Sequence, residues 1–184
     1  MQTLSGNNEA KSRLFFALWP DDATRLALSQ LIDHLDSKIG KPVSPHNFHV
    51  TLVFLGNVDQ TTIAAIKQRA AELSVEPFQL IFESVSFWQQ PKVICLTCHT
   101  VPQQAFDLAS KLDRIARQCG LQTDTRPYVP HITLTRHAQE SSTETIKPIV
   151  LRADSFCLVQ SCSEPEGVVY RVLQRWPFTQ YGHQ

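Results

Sequence analysis

His49-Val50-Thr51-Leu52 and His131-Ile132-Thr133-Leu134 repeat one pattern, His-x-Thr-Leu, at two places in a chain of 184 residues. Each copy alternates polar with branched or apolar residues, which is typical of a β-strand with one buried face. Side chains along a strand point alternately to opposite faces. The histidine and threonine of each copy therefore share one face, and we expect the four polar groups to form one site from two halves.

The composition is that of an ordinary globular protein, with 42% hydrophobic and 18% charged residues. Its apolar runs are too short to span a bilayer, so we expect no membrane segment. Residues 1–12 are polar and lack the apolar core of a signal peptide, which predicts a flexible tail and a cytoplasmic protein. The odd count of five cysteines fits the same reducing compartment. Residues 13–184 are expected to form a single bilobal domain.

The charge is balanced, with 17 basic and 17 acidic residues and a formal net charge of zero. This balance argues against a protein that binds long nucleic acid mainly by neutralising its phosphates. It leaves open a small nucleotide, or an RNA end held in a local pocket.

The periodicity of the chain predicts an α+β fold with antiparallel sheet. Strand-like segments are residues 13–19, 48–55, 78–88, 92–100, 131–135, 153–161 and 168–176. Helix-like segments are residues 21–39, 59–73 and 102–119, and residues 139–144 suggest a loop. A helix precedes each His-x-Thr-Leu copy, which indicates a weak internal repeat. We therefore expect two pseudo-symmetric lobes with flanking helices around a central cleft.

Two imidazoles that face each other across a cleft can serve as acid and base, since their ordinary pKa of about 6.5 makes both protonation states accessible. Threonine hydroxyls beside them add donors that suit a phosphoryl group. No metal is needed for this chemistry. His46 and His49 have a spacing that could suggest a metal site, but positions three apart on a strand face opposite ways.

The sequence around these motifs resembles the two-histidine (2H) phosphoesterases. The resemblance is carried by Arg-Leu-Phe-Phe-Ala at 13–17, Asn-Phe-His-Val-Thr-Leu at 47–52, Phe-Leu-Gly at 54–56 and the segment 126–134. These segments are similar to the bacterial and archaeal branch, the RNA 2′,3′-cyclic phosphodiesterases, also called 2′-5′ RNA ligases. The resemblance extends over residues 13–176.

The resemblance implies hydrolysis of a 2′,3′-cyclic phosphate to a 2′-phosphomonoester, with no cofactor. It implies that His131 is the base that activates water and that His49 is the acid that protonates the departing 3′ oxygen. Thr51 and Thr133 would bind the non-bridging oxygens. The pseudo-symmetry of the two motifs would by itself permit the reverse assignment of acid and base.

Four further residues are candidates for substrate binding. Phe54 and Arg136 each lie five positions after a motif histidine, where relatives use an aromatic residue and an arginine to hold the nucleotide. This odd offset points both away from the histidine face unless the strand bends or ends first. Tyr128 and Arg126 precede the second motif and could line the rim of the cleft.

Two other functions remain open at this point. The same groups could run the reaction backwards as a minor activity, joining a 2′,3′-cyclic end to a 5′-hydroxyl. The cleft could also bind a nucleotide without turnover. In each case the expected partner is an RNA 3′ end or a small cyclic-phosphate nucleotide. We expect a monomer with no obligate protein partner.

Overall fold

The computed structural model describes residues 11–35, 40–139 and 146–179, and within these ranges the chain forms three α-helices and ten strands. The helices are α1 (Asp22–His34), α2 (Gln60–Ala70) and α3 (Gln103–Gln118). The strands are β1 (Ser12–Leu18), β2 (Lys41–Pro42), β3 (Val50–Val58), β4 (Phe78–Phe82), β5 (Ser84–Trp88), β6 (Val93–Thr97), β7 (His131–Arg136), β8 (Ile149–Ala153), β9 (Ser155–Glu164) and β10 (Gly167–Pro177). A 3₁₀ turn, Pro45–Asn47, precedes β3.

The two motif strands, β3 and β7, are neighbours at the centre of one large sheet with the order β10-β9-β1-β3-β7-β6-β5. The short β2 pairs with β7, while β4 and β8 form a separate two-stranded sheet. Every strand pairing among the described residues is antiparallel. The α+β class with antiparallel sheet is therefore confirmed.

The large sheet divides into two halves where β3 meets β7. These strands share the residue pair Val50–Ile132, and beyond it β3 follows β1 while β7 follows β6. We call β10-β9-β1-β3 the first half-sheet and β7-β6-β5 the second half-sheet. The two predicted lobes correspond to these halves, and the site of interest lies at their junction.

The apolar residues of both motifs face the core. Val50, Leu52, Ile132 and Leu134 are each at most 5% exposed and belong to the main hydrophobic cluster. The strongly amphipathic α3 lies against β3 and α2 on this side and buries residues at helical spacing. Burying both motifs' apolar residues leaves their polar residues on the opposite face of the sheet.

Side-chain caps mark the starts of two helices. The Asp21 carboxylate accepts a hydrogen bond from the backbone N–H of Thr24 at 2.7 Å, and Asp59 accepts one from Thr62 at 2.7 Å. Each cap satisfies a backbone donor in the first helical turn that has no intrahelical acceptor. These caps fix where α1 and α2 begin, immediately after β1 and β3.

The prediction of one continuous strand over residues 78–88 is wrong. The chain leaves the small sheet after β4 and enters the large sheet at β5, with Glu83 between them. No glycine or proline marks this change, so the sequence shows one uninterrupted strand-like run. The partner of β4 is β8, which the sequence analysis did not predict.

Several predicted boundaries also move. Helix α1 ends at His34 and not at residue 39, and residues 36–39 lie outside the described ranges. Ser12 belongs to β1 and not to a tail, while residues 1–10 lie outside the described ranges. The loop predicted at residues 139–144 is described only at residue 139.

Candidate active site

The four motif residues project from the sheet face opposite the core. Val50 and Ile132 pair across the two strands and are fully buried, so the residues on either side of them point to the other face. Continuing this antiparallel register sets Thr51 against His131 and Thr133 against His49. The structure thus brings together the four polar groups that the sequence predicted.

A β-bulge in β3 brings Phe54 onto the histidine face as well. Consecutive residues of β1 pair with Thr51 and Val53, which leaves Leu52 as an extra residue. Leu52 and Val53 are both buried, and Phe54 is 52% exposed. The extra residue reverses the alternation of side chains, so the strand meets the stated exception and Phe54 points to the histidine face.

The second motif contains a bulge at the equivalent residue. Consecutive residues of β6 pair with Thr133 and Thr135, which leaves Leu134 as the extra residue. Leu134 and Thr135 are buried, and Arg136 is exposed. The fourth residue of each motif therefore has a structural role, which is to turn the residue five positions after the histidine back toward the cleft.

Backbone carbonyls fix both imidazoles in the same way. His49 Nδ1 lies 2.6 Å from the carbonyl oxygen of Asn47, and His131 Nδ1 lies 2.8 Å from that of Val129. A carbonyl oxygen only accepts, so Nδ1 donates in both rings and Nε2 of the neutral ring is an acceptor. For His49 this acceptor lies 3.0 Å from the Thr51 hydroxyl.

Aromatic side chains hold both rings in place. His49 packs against Phe15 and Tyr170, with ring centroids at 4.9 and 5.0 Å, and more loosely against Trp19 at 6.2 Å. His131 packs against Trp88 with centroids 4.4 Å apart. These contacts fix the orientation of both rings and the positions of the two Nε2 atoms.

The environment favours the neutral form of both imidazoles. Burial lowers the pKa of His49 most, and the nearby positive charges of His131, Arg136 and Arg25 also lower it. Against the hydrogen bond to the Asn47 carbonyl, which raises it, these effects bring the pKa to about 4. The pKa of His131 is also lowered, by burial first and then by the charge of Arg126. A negatively charged guest would act on both groups in the opposite direction.

Arg136 and Tyr170 connect the two half-sheets across the site. The guanidinium of Arg136 donates to the Tyr170 hydroxyl at 3.5 Å. The side chain of Asn47 holds the β10 backbone at Tyr170 and Val168, with contacts of 3.1 and 2.7 Å. Asn47 therefore orients His49 through its carbonyl and anchors Tyr170 through its amide.

Three residues at the site were not among those predicted from the sequence: Asn47, Tyr170 and Trp88. Asn47 and Val129 each stand two positions before a motif histidine, so the repeat itself offered a signal for the orienting carbonyls. Tyr170 and Trp88 reach the site from distant strands of the sheet, and no local pattern indicates this contact.

A cavity of about 660 Å³ opens beside His131, between the diverging ends of the two half-sheets. Five of the predicted site residues line it, namely Thr51, Phe54, Arg126, Tyr128 and His131. The other three, His49, Thr133 and Arg136, lie outside its lining. The site thus consists of the polar centre and an adjoining pocket on the His131 side.

Tyr128 and Arg126 occupy different parts of this pocket. The ring of Tyr128 meets Phe106 edge-on at 6.1 Å. Burial raises the pKa of its hydroxyl, which is buried and has no hydrogen-bond partner in the part of the chain that the structure describes. Arg126 is exposed at the rim and donates from Nε to Asp124 at 2.9 Å. Tyr128 therefore belongs to the wall, and Arg126 to the entrance.

Within the described ranges, no group of three His, Cys, Asp or Glu side chains could hold a metal ion. Cys95 is buried, and burial raises its pKa to about 12, while that of Cys98 is raised to about 11. Both thiols are therefore protonated at neutral pH.

None of the described helices is long and apolar enough to cross a bilayer.

Comparison with known proteins identifies the family. The family model described as LigT-like phosphoesterase matches residues 18–95 and, a second time, residues 96–170, so each match contains one His-x-Thr-Leu copy. The RNA 2′,3′-cyclic phosphodiesterase of Escherichia coli is 31% identical over 173 residues, covering 91% of this chain and 97% of that protein. The protein of that name from Archaeoglobus fulgidus is 28% identical over 88% of this chain and 98% of its own length. The crystal structure of E. coli LigT complexed with 3′-AMP superposes with a TM-score of 0.85 at 30% identity, covering 92% of this chain and 99% of that one. The chain therefore belongs to the LigT-like phosphoesterase family.

Proposed function

We propose that this protein hydrolyses 2′,3′-cyclic phosphates, on RNA 3′ ends or small nucleotides, to 2′-phosphomonoesters by metal-independent acid–base catalysis. The observation that supports this most directly is the matched pair of imidazoles on one sheet face. In each, a carbonyl two residues earlier holds Nδ1 and leaves Nε2 for proton transfer. The relatives named RNA 2′,3′-cyclic phosphodiesterase align with nearly the whole chain.

The proposed reaction moves one proton through each histidine. Nε2 of His131 takes a proton from water as the water oxygen bonds to phosphorus, the bond from phosphorus to O3′ breaks, and His49 gives a proton to O3′. The phosphate remains on O2′. The choice of His131 as base and His49 as acid follows the family resemblance.

The remaining polar groups would hold the phosphoryl oxygens. Thr51 and Thr133 offer hydroxyl donors beside the imidazoles, and Arg136 offers a guanidinium on the same face. A bound phosphate would also supply the negative charge that His49 needs in order to keep its proton at neutral pH. In this proposal Phe54 stacks on the base, with Tyr128 in the pocket wall and Arg126 at the entrance.

Substitution of either histidine tests this proposal. We expect His49→Ala and His131→Ala each to lower kcat by about 10²-fold or more on an oligonucleotide with a 2′,3′-cyclic end, since each removes one proton transfer. The control is His46→Ala, because this exposed imidazole lies three positions from His49. Product analysis should find the phosphate on O2′. Activity should survive a chelator, and a strict metal requirement would contradict the mechanism.

The reverse reaction is proposed as a minor activity. The same two histidines could join a 2′,3′-cyclic end to a 5′-hydroxyl and form a 2′-5′ bond, but the excess of water favours hydrolysis. Hydrolysis and ligation rates measured with one substrate would establish the balance. Tight nucleotide binding with no product after long incubation would instead favour a binding module.

We also propose that the protein acts as a monomer in the cytoplasm, which size-exclusion chromatography and cell fractionation would test.

A further inference from the structure

Helix α3 forms one wall of the cavity. Its aromatic and polar side chains there are Phe106, Ser110, Asp113 and Arg117, and the acid–base chemistry uses none of them. The cavity is continuous with the site, since Thr51 and His131 line it too. A group attached to a phosphate at the histidines would therefore extend toward α3.

The walls of this cavity suit an aromatic ring. Phe54 is 52% exposed and Phe106 is 38% exposed, although both are large apolar side chains. Tyr128 and Trp88 extend the same lining. Unstacked bases are held in this way in single-stranded RNA, between aromatic side chains and with their edges free for hydrogen bonds.

An ion pair on α3 supplies polar groups for such an edge. Arg117 Nε donates to Asp113 Oδ2 at 2.8 Å, and both side chains remain partly exposed, at 48% and 33%. The pair uses one N–H of the guanidinium. The two terminal amino groups of Arg117 remain as donors, and the Asp113 carboxylate keeps lone pairs on both oxygens.

Guanine is the base whose edge is complementary to this ion pair, and as a purine it also has the larger surface for stacking. Its Watson–Crick edge presents one acceptor, O6, beside two adjacent donors, N1–H and N2–H. A guanidinium can donate to O6 while the carboxylate accepts from both N–H groups. Adenine, cytosine and uracil each lack this pair of adjacent donors on the Watson–Crick edge, and the two pyrimidines also offer less surface for stacking.

We propose that the cavity is a nucleobase subsite in which Asp113 and Arg117 read the edge of a guanine attached to the cyclic phosphate. This inference rests on the proposed function, because it takes the histidine pair as the place of the phosphate. It adds a preference for guanosine at the 3′ end of the substrate.

Turnover of the four 2′,3′-cyclic mononucleotides tests the proposal directly. We expect kcat/KM for 2′,3′-cyclic GMP to exceed those for the AMP, CMP and UMP analogues by about tenfold or more. Equal values for all four, or a preference for another base, would overturn the subsite while leaving the proposed hydrolysis intact. No turnover of any of the four, or of a cyclic-ended oligonucleotide, would instead count against the proposed function.

Variants on α3 locate the preference. Asp113→Asn should lower kcat/KM for the guanosine substrate to near the adenosine value and change the other three by less than about threefold. The matched control is Asp107→Asn, since this carboxylate on the same helix binds Gln103 at 2.9 Å and lies outside the cavity lining. A guanosine preference that survives Asp113→Asn would overturn the role of this carboxylate.

A second pair of variants distinguishes the loss of base recognition from a general disturbance of helix α3. Arg117→Gln should weaken the guanosine preference, whereas Arg114→Gln, an exposed position outside the cavity lining, should not. Thermal melting of each variant reports folding independently of base choice. Equal loss with all four bases would show a general effect on the site and would contradict base reading by Arg117.

Discussion

At the scale of single residues, His49 presents an apparent conflict between its environment and its proposed role. Burial and neighbouring positive charge lower its pKa to about 4, so that the free protein holds it neutral at pH 7. An acid must carry the proton when the leaving oxygen departs. The phosphate of the substrate resolves this conflict, because a nearby negative charge favours the imidazolium form.

We therefore expect the pKa of His49 to rise by at least about one unit when a nucleoside 2′-phosphate binds, since a nearby opposite charge commonly shifts a pKa by that much. NMR titration of the imidazole signals, with and without the nucleotide, would measure the change. His49→Gln would assign the signal by its disappearance. An unchanged titration in the saturated complex would contradict the role of His49 as acid.

At the scale of elements, the bulges at Leu52 and Leu134 decide which side chains reach the cleft. Regular alternation in β3 would bury Phe54 and expose Leu55, whereas the structure exposes Phe54 and leaves Leu55 only 3% exposed. The two residues are adjacent, so substituting them separately tests the bulge.

Phe54→Ala should raise KM about tenfold, the loss of one stacked base, with little change in thermal stability. Leu55→Ala should lower the free energy of unfolding by about 2–5 kcal/mol, because it opens a cavity in the core, and should leave KM nearly unchanged. Steady-state kinetics and denaturant unfolding of both variants would distinguish the outcomes. The opposite pattern would show that β3 alternates regularly past Thr51.

The same bulges explain how far the sequence predicts the site. The repeat and its period of two predict His49, Thr51, His131 and Thr133, because all four lie before the bulges. Past them the alternation reverses, and a lone sequence carries no mark of an extra residue in a strand. Tyr170, Trp88 and the contacts of the Asn47 side chain with β10 escaped prediction because they depend on how the strands are arranged in the sheet. Strand β8 was not predicted for the same reason, since it is defined by its pairing with β4.

At the scale of the whole molecule, the two histidines make stability depend on pH. In the unfolded chain a histidine titrates with a pKa of about 6.5. Folding lowers the pKa of both His49 and His131. Between pH 6.5 and about 4 the unfolded chain therefore binds more protons than the folded protein, and the free energy of unfolding falls as the pH decreases.

Each histidine contributes a slope of at most about 1.4 kcal/mol per pH unit in this window. The carboxyls whose pKa is lowered from 3.8, Asp21, Asp59 and Asp124, lose their stabilising effect at lower pH and contribute little above pH 5. Denaturant unfolding of the free protein between pH 7.5 and pH 5 should therefore show stability decreasing toward acid. His49→Gln should reduce this slope and leave the contribution of His131, whereas His46→Gln, at an exposed position, should preserve it. An equally steep slope in His49→Gln would mean that His49 keeps its ordinary pKa in the folded protein. In that case His49 would not need the charge of the substrate in order to be protonated.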